Sequence, residues 1–123
     1  MSNLKKKKPT VAERVSPTQR QRVVIDKFVV SGSAREEFLR SSRFAMAVVR
    51  TLPGFVHGVT FEKSGGPGKY NFVTVVIWES PEALEAARQE VPARYAKSGF
   101  DPREMFERLG IEMDRAYYTE MQG

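Results

Sequence analysis

The sequence predicts an α+β domain of ferredoxin-like order, β-α-β-β-α-β, with a four-stranded antiparallel sheet and its helices on one face. Three observations predict it. Val75-Val76-Ile77-Trp78-Glu79-Ser80-Pro81-Glu82-Ala83-Leu84 is an apolar strand that runs straight into a helix start. Leu52-Pro53-Gly54-Phe55 makes the opposite join, from a helix into a strand. Between the two joins, a pair of β-rich runs flanks the glycine-rich loop Ser64-Gly65-Gly66-Pro67-Gly68-Lys69, which reads as a hairpin connection.

The elements follow in order. Arg22 to Val30 is rich in Val and reads as a first strand. Ser31-Gly32 turns the chain, and Ser33-Ala34-Arg35-Glu36 has the capping-box spacing that opens a helix. Phe38, Ser42, Ala45, Val49 and Leu52 recur at helical spacing and form one core-facing stripe, which Pro53-Gly54 stops. Phe55 to Lys63 and Tyr70 to Glu79 are the second and third strands. Ser80 is a helix N-cap, because its hydroxyl can accept an orphan backbone N–H, and Pro81 suits the first helical position. Leu84, Ala87 and Val91 mark the buried side of this second helix. Pro92 has no N–H to donate, so a kink or restart is expected there. Gly99 closes the segment. Asp101-Pro102-Arg103-Glu104 repeats the capping logic, Gly110 ends a short helix, and Ile111 to Met121 is the last strand.

A chain of 123 residues is one domain with room for a core. Cysteine is absent, which excludes disulfides, thiolate metal sites and cysteine nucleophiles. No apolar run reaches the ~20 residues of a membrane span. Lys5-Lys6-Lys7-Lys8 is not followed by the apolar segment of a secretory signal, so a cytoplasmic location is expected. The net charge of +5 is unevenly spread: residues 1–22 hold seven basic side chains against one acidic, and the remainder holds 13 against 14. The basic surplus therefore belongs to a leader. Residues 1–20 are expected to be a disordered, solvated tail and 21–123 the domain. The tail has no aromatic side chain to stack on a base, so neither a nucleic-acid nor a membrane partner is expected.

The third strand wants burial on both faces. Val73, Val75 and Ile77 are apolar and are expected to face the helices. Phe72, Thr74, Val76 and Trp78 are also mostly apolar and are left for the other face. The first strand divides into Val24, Asp26, Phe28 and Val30 on one side and Val23, Ile25, Lys27 and Val29 on the other. A large uncovered apolar face implies an interface, and two sheets packed face to face in a C2 homodimer would close it.

In these residues the chain resembles the antibiotic biosynthesis monooxygenase family of dimeric α/β-barrel proteins. The resemblance spans roughly residues 22–121. It rests on Phe38-Leu39, Leu52-Pro53-Gly54-Phe55, Trp78-Glu79-Ser80 and Glu82-Ala83, with Ile111 to Tyr118 compatible. It implies a homodimeric barrel that binds a small, largely apolar aromatic molecule and uses no metal, flavin or other cofactor. The quinone-forming members are similar at Trp78, which in them borders the substrate cavity. Thr74 stands where they have asparagine, and Leu84 where several have tyrosine. Haem-degrading members use an asparagine, a tryptophan and a histidine ligand at places that correspond to Asp26, Ala87 and the region of Lys97, and none of the three matches.

The candidate catalytic residues are Asp26 and His57, and the candidate ligand-binding residues are Phe28, Thr74, Val76 and Trp78. A carboxylate between Val24 and Phe28 is costly to bury unpaired. Facing a cavity, Asp26 would have a raised pKa and could take a phenolic or enolic proton; otherwise it pairs with an arginine or tyrosine across the sheet, or reaches solvent. His57 is the single imidazole and titrates near neutrality, so it is either a base or a structural hydrogen-bonding group at a strand edge. Alone it makes no zinc site. Trp78 either lines a pocket or packs as a core aromatic. Tyr117 and Tyr118 fall on opposite faces of the last strand. The loop 64–69 lacks the Walker spacing and joins two strands, and no G-x-S-x-G elbow exists, so phosphate binding and serine hydrolysis are excluded. The expected activity is cofactor-independent oxidation of an electron-rich phenol or hydroquinone, in a dry pocket bounded by Phe28, Val76 and Trp78. The alternative is a non-catalytic ligand-binding or interaction module on the same barrel.

Overall fold

Strands and helices alternate as β1-α1-β2-β3-α2-α3-β4 in the computed structural model, which describes residues 17–121. β1 is Arg22–Val29, α1 Arg35–Arg50, β2 Phe55–Glu62, β3 Phe72–Trp78, α2 Pro81–Lys97, α3 Pro102–Leu109 and β4 Glu112–Tyr118. The strands lie in the order β2-β3-β1-β4, and every neighbouring pair is antiparallel. This is the ferredoxin-like α+β arrangement that the order of elements predicts.

The two junctions that predict the fold are bonded to each other. Ser80 caps α2 by accepting the Ala83 N–H at 3.1 Å. The Glu79 N–H donates to the Gly54 carbonyl at 2.8 Å, which ties the exit of β3 to the turn between α1 and β2. Gly54 has φ 84, and a Cβ there would overlap that of Ala83. Only glycine lets this turn lie so close to the first turn of α2. Asp101 caps α3 through the Glu104 N–H at 3.2 Å, and Gly110 ends it at φ 65. Asn71 extends the sheet beyond β3, because its amide bonds the Val30 N–H at 2.8 Å and the Val30 carbonyl at 2.7 Å.

Several expectations need correction. The even positions of β3, not the odd ones, face the helices: Phe72 and Trp78 are buried there, while Val73, Val75 and Ile77 stay half-covered on the open face. The two largest side chains decide the matter, since burying their rings removes most apolar area from water. The Ser33 capping box does not form. A 3-10 turn at Gly32–Ala34 precedes α1, whose N-cap is Ala34, and Ser33 Oγ meets Ser31 Oγ at 3.2 Å. Pro92 does not interrupt α2, which runs continuously to Lys97. Pro92 and Arg88 are both exposed, so water can satisfy the Arg88 carbonyl that loses its donor. Pro17–Arg20 form a helical turn, and Arg20 pairs with Glu82 at 3.0 Å, so part of the expected tail joins the fold. The rest of that expectation concerns residues outside those described.

The core between sheet and helices is divided. One cluster contains Phe28, Val30, Ala34, Phe38, Phe72 and Ile111, with Phe28 and Phe38 edge to face at 4.9 Å. The other contains Leu52, Trp78 and Ala87, with Val24, Val76, Leu84 and Val91 packed on it. Leu84, Ala87 and Val91 thus bury the face of α2 that their spacing marks.

Candidate functional site

A polar row separates the two clusters. On the helix-covered face, Thr60 of β2 stands opposite Thr74 of β3, Thr74 opposite Asp26 of β1, and Asp26 opposite Arg115 of β4. Pairs directly opposite in an antiparallel sheet share a face, so the row crosses all four strands. The next rows are mainly apolar: Phe72, Phe28 and Met113 on one side, with Glu62 at the β2 edge, and Gly58, Val76, Val24 and Tyr117 on the other. Ser42 and Ala45 lie midway along the core-facing stripe of α1, between Phe38 of the first cluster and Val49 of the second. Small side chains thus stand at the middle of that stripe, between the two apolar clusters.

Asp26 is the one buried charged residue among those described, and Arg115 holds it with two bonds. Arg115 Nε donates to one carboxylate oxygen at 2.7 Å and Nη2 to the other at 2.8 Å. Asp26 is 12 % exposed and Arg115 49 %, so the guanidinium joins the buried carboxylate to solvent. Hydrogen bonding to Asp26 raises the Arg115 pKa above its ordinary value, against burial, which lowers it. Nη1 of Arg115 makes neither of the two bonds, and the Tyr117 hydroxyl interacts with the same guanidinium and also raises its pKa.

Tyr95 comes to this end of the row from the last turn of α2. The turn closes with Gly99 N–H on the Ala96 carbonyl at 3.1 Å and Phe100 N–H on the Tyr95 carbonyl at 2.9 Å, with Gly99 at φ 74. This is a Schellman ending, and its apolar contact is the Tyr95 and Phe100 rings at 5.0 Å. Phe44 of α1 completes the aromatic group, 6.0 Å from Tyr95 and 5.5 Å from Phe100. Burial raises the Tyr95 pKa above 10, with Arg115 pulling it down and Asp26 pushing it up. The Tyr95 hydroxyl makes no hydrogen bond to another described residue and is not a buried orphan, so it is open to solvent. Tyr117 shares this face, with the Arg88 guanidinium 5.4 Å from its ring centre.

At the other end of the row, a groove of about 420 Å³ opens between α1 and β2. Thr60 belongs to both. The groove is also lined by Leu39, Ser42, Arg43, Met46 and Arg50 of α1, by Gly58 of β2 and by Phe72 of β3. A Cβ on Gly58 would come within 2.5 Å of Met46 Sδ and 3.1 Å of the Phe55 ring, so the bare backbone accommodates both side chains.

The structure therefore brings Asp26, Phe28, Thr74, Val76 and Trp78 to one face of the sheet and leaves His57 on the other. His57 is exposed and stands opposite Ile77 on the open side. Trp78 is 3 % exposed, packed on Leu52 and Ala87 and edge to face with Phe55 at 6.0 Å, so it is a core aromatic beside the row. Arg115 and Tyr95 are the residues that the sequence reading missed. A paired Asp26 was one of its alternatives, but the partner follows only from the β1–β4 register. Among the described residues, no group of three His, Asp or Glu side chains could hold a metal ion.

With this geometry, the chain can be compared with known proteins. Its backbone matches SnoaB, a cofactor-independent oxygenase from Streptomyces nogalater, with a TM-score of 0.62 at 21 % identity over 85 % of this chain and 96 % of that one. A candidate antibiotic biosynthesis monooxygenase from Deinococcus radiodurans matches with a TM-score of 0.62 at 12 % identity, over 83 % and 94 % of the two chains. The chain has the fold of the antibiotic biosynthesis monooxygenases. A dabb family protein from Mesorhizobium loti, with a ferredoxin-like fold, matches at 0.60 and 10 % identity over 83 % of this chain and 98 % of that one. No family model matches the chain, and no curated protein does.

Two predictions follow from the pair and the phenol. Arg115→Met leaves a buried carboxylate without its partner and should lower stability by about 2 kcal/mol, a figure reduced for the exposure of the guanidinium. Asp26→Leu together with Arg115→Met should recover most of that loss, as read from urea midpoints. The raised pKa of Tyr95 means that, above pH 10, the unfolded chain ionises before the folded one. The unfolded state then binds fewer protons, so stability falls as pH rises through that range. Alkaline titration of phenolate absorbance should show a late-ionising tyrosine that Tyr95→Phe removes.

Proposed function

We propose that this protein binds a small planar aromatic molecule between sheet and helices, along the polar row. The observation that carries the reading is the buried Asp26, held by Arg115 and flanked by Thr74, between two apolar clusters on the helix-bearing face of the sheet. A purely structural core could carry apolar side chains at Asp26 and Thr74 at little cost. The residues support specific roles. Arg115 Nη1 faces a ligand oxygen and favours its phenolate form, and Asp26 fixes the guanidinium in place. Thr74 and the Tyr95 hydroxyl bond further ligand oxygens, while Phe28 and Val76 flank the ring and Trp78 backs the pocket wall.

The chemistry proposed is cofactor-independent monooxygenation of an electron-rich phenol or hydroquinone-type ring. The ligand loses its phenolic proton, and the electron-rich ring reacts with O2. One oxygen atom enters the ring opposite the hydroxyl, and the other leaves as water, so phenol and O2 become quinone and water. The ring supplies the electrons. Asp26 is the proton acceptor nearest to Arg115, through the lone pairs that the guanidinium does not occupy. His57 has no part in this pocket. A second reading, a binding module without turnover, is favoured by the same pairing, because Arg115 already occupies one lone pair on each Asp26 oxygen.

An oxygen electrode and a panel of naphthols, catechols and hydroquinones separate the two. Turnover requires ring-dependent O2 uptake with quinone absorbance, lowered at least tenfold in Arg115→Gln and partly kept in Arg115→Lys, the loss expected for an oxyanion donor. Binding without uptake across the panel selects the module.

We also propose that two copies pack sheet to sheet through the face the helices leave open. Val23, Ile25, Val73, Val75 and Ile77 are half-buried there, and Phe61 is 54 % exposed. Such a continuous apolar surface is unusual on a monomer. Light scattering should return twice the chain mass, and Val75→Lys, in the middle of that face, should shift the protein to monomer. A stable wild-type monomer would overturn the dimer.

A further inference from the structure

The groove between α1 and β2 holds a positive charge that nothing in the fold uses. Leu39, Arg43, Met46 and Arg50 succeed one another at helical spacing and form a single stripe of α1. Leu39, Met46 and Phe72 make an apolar floor, while Arg43 and Arg50 stand about 10 Å apart along the helix, at its rise of about 1.5 Å per residue. The carboxylate at this groove is already taken: Glu62 accepts from Arg35 at 3.0 and 2.7 Å. Arg50 donates to the Gly58 carbonyl at 3.2 Å. Arg43 is exposed and has no hydrogen-bond or ion-pair partner among the described residues, whereas Arg20, Arg35, Arg94 and Arg108 are each paired with a glutamate.

We propose that this groove is a second site, distinct from the polar row, and that it takes an aromatic carboxylate held by Arg43 at its mouth. Its apolar ring lies on Leu39, Met46 and Phe72, and its inner edge reaches Thr60, where the polar row begins. It goes beyond the reading of the polar row and stands apart from it, since the groove shares only Thr60 with that row. A guanidinium suits the task, since it presents paired N–H donors to a planar carboxylate. Ser42, beside Arg43 on the groove wall, offers a hydroxyl to the same group.

Calorimetric titration of the full-length protein with naphthoate and with naphthamide tests it, because the two probes share a shape and differ in charge. Naphthoate should bind about tenfold tighter than naphthamide at low salt, the gain expected of a charge-assisted pair, and the gap should narrow as salt is added. Arg43→Gln should close the gap, and Arg43→Lys should keep part of it. Arg43 is exposed and unpaired, so both variants should keep the wild-type circular dichroism spectrum. Equal affinities, or a gap that survives Arg43→Gln, would overturn the charge assignment and leave the pocket standing. Failure of both probes to bind would overturn the groove site altogether, while the polar row keeps its own test by O2 uptake.

Discussion

A carboxylate in the middle of the covered sheet face can exist only with a partner, and Arg115 is that partner for Asp26. The asymmetry of such pairs matters more than their net strength. Replacing both members by apolar groups costs little, whereas losing one leaves a charge that the surroundings cannot solvate. The constraint spreads through the fold. Because Asp26 and Arg115 stand directly opposite, the bond helps to fix the register of β1 against β4. Since the guanidinium is half exposed, it also gives the interior a polar path to the surface.

The helices are arranged around this constraint. Apolar side chains collect on either side of the row, as the Phe28 and Trp78 clusters, and neither cluster crosses it. Tyr95 reaches the row because the helix that carries it ends where it does. Gly99 takes up a positive φ, Phe100 folds back, and the two rings lock together. At the far side, Gly54 lets the start of α2 approach the turn after α1, which sets how α2 lies over β3. The cap at Ser80 and the Gly54–Glu79 bond are therefore parts of the site's scaffold, though they touch no candidate ligand position.

Much of the fold was legible in the sequence, because turn and cap chemistry is local. Ser80, Asp101, Gly99 and Gly110 act within a few residues of themselves, and each does what its type and position imply. What failed depended on distant context. In β3 both alternating sets are apolar, so the pattern could not say which one the helices cover; the sizes of Phe72 and Trp78 decided it. At Pro92, solvent on the exposed side of α2 relieves the missing bond. The site was half legible. Asp26 stood out as a charge among apolar neighbours, but its partner lies 89 residues away and emerges only from the pairing of β1 with β4. Tyr95 gave no local signal, as an aromatic in an otherwise polar helical run.

The two faces of the sheet divide the protein's tasks. The polar row lies on the helix-bearing face, with Thr60 and Arg115 exposed at its ends, and His57 lies on the other, so the two candidate proton-transfer groups cannot meet in one pocket of one chain. The open face carries the odd positions of β3 and their neighbours in β1, which are β-branched and apolar apart from Lys27. Such a surface is suited to another flat sheet rather than to a small polar ligand. Were two sheets to meet there, their contact would stiffen β1 and β3 from below. Those are the strands that hold Asp26 and Thr74 above, so association would set the rigidity of the row without contributing a group to it.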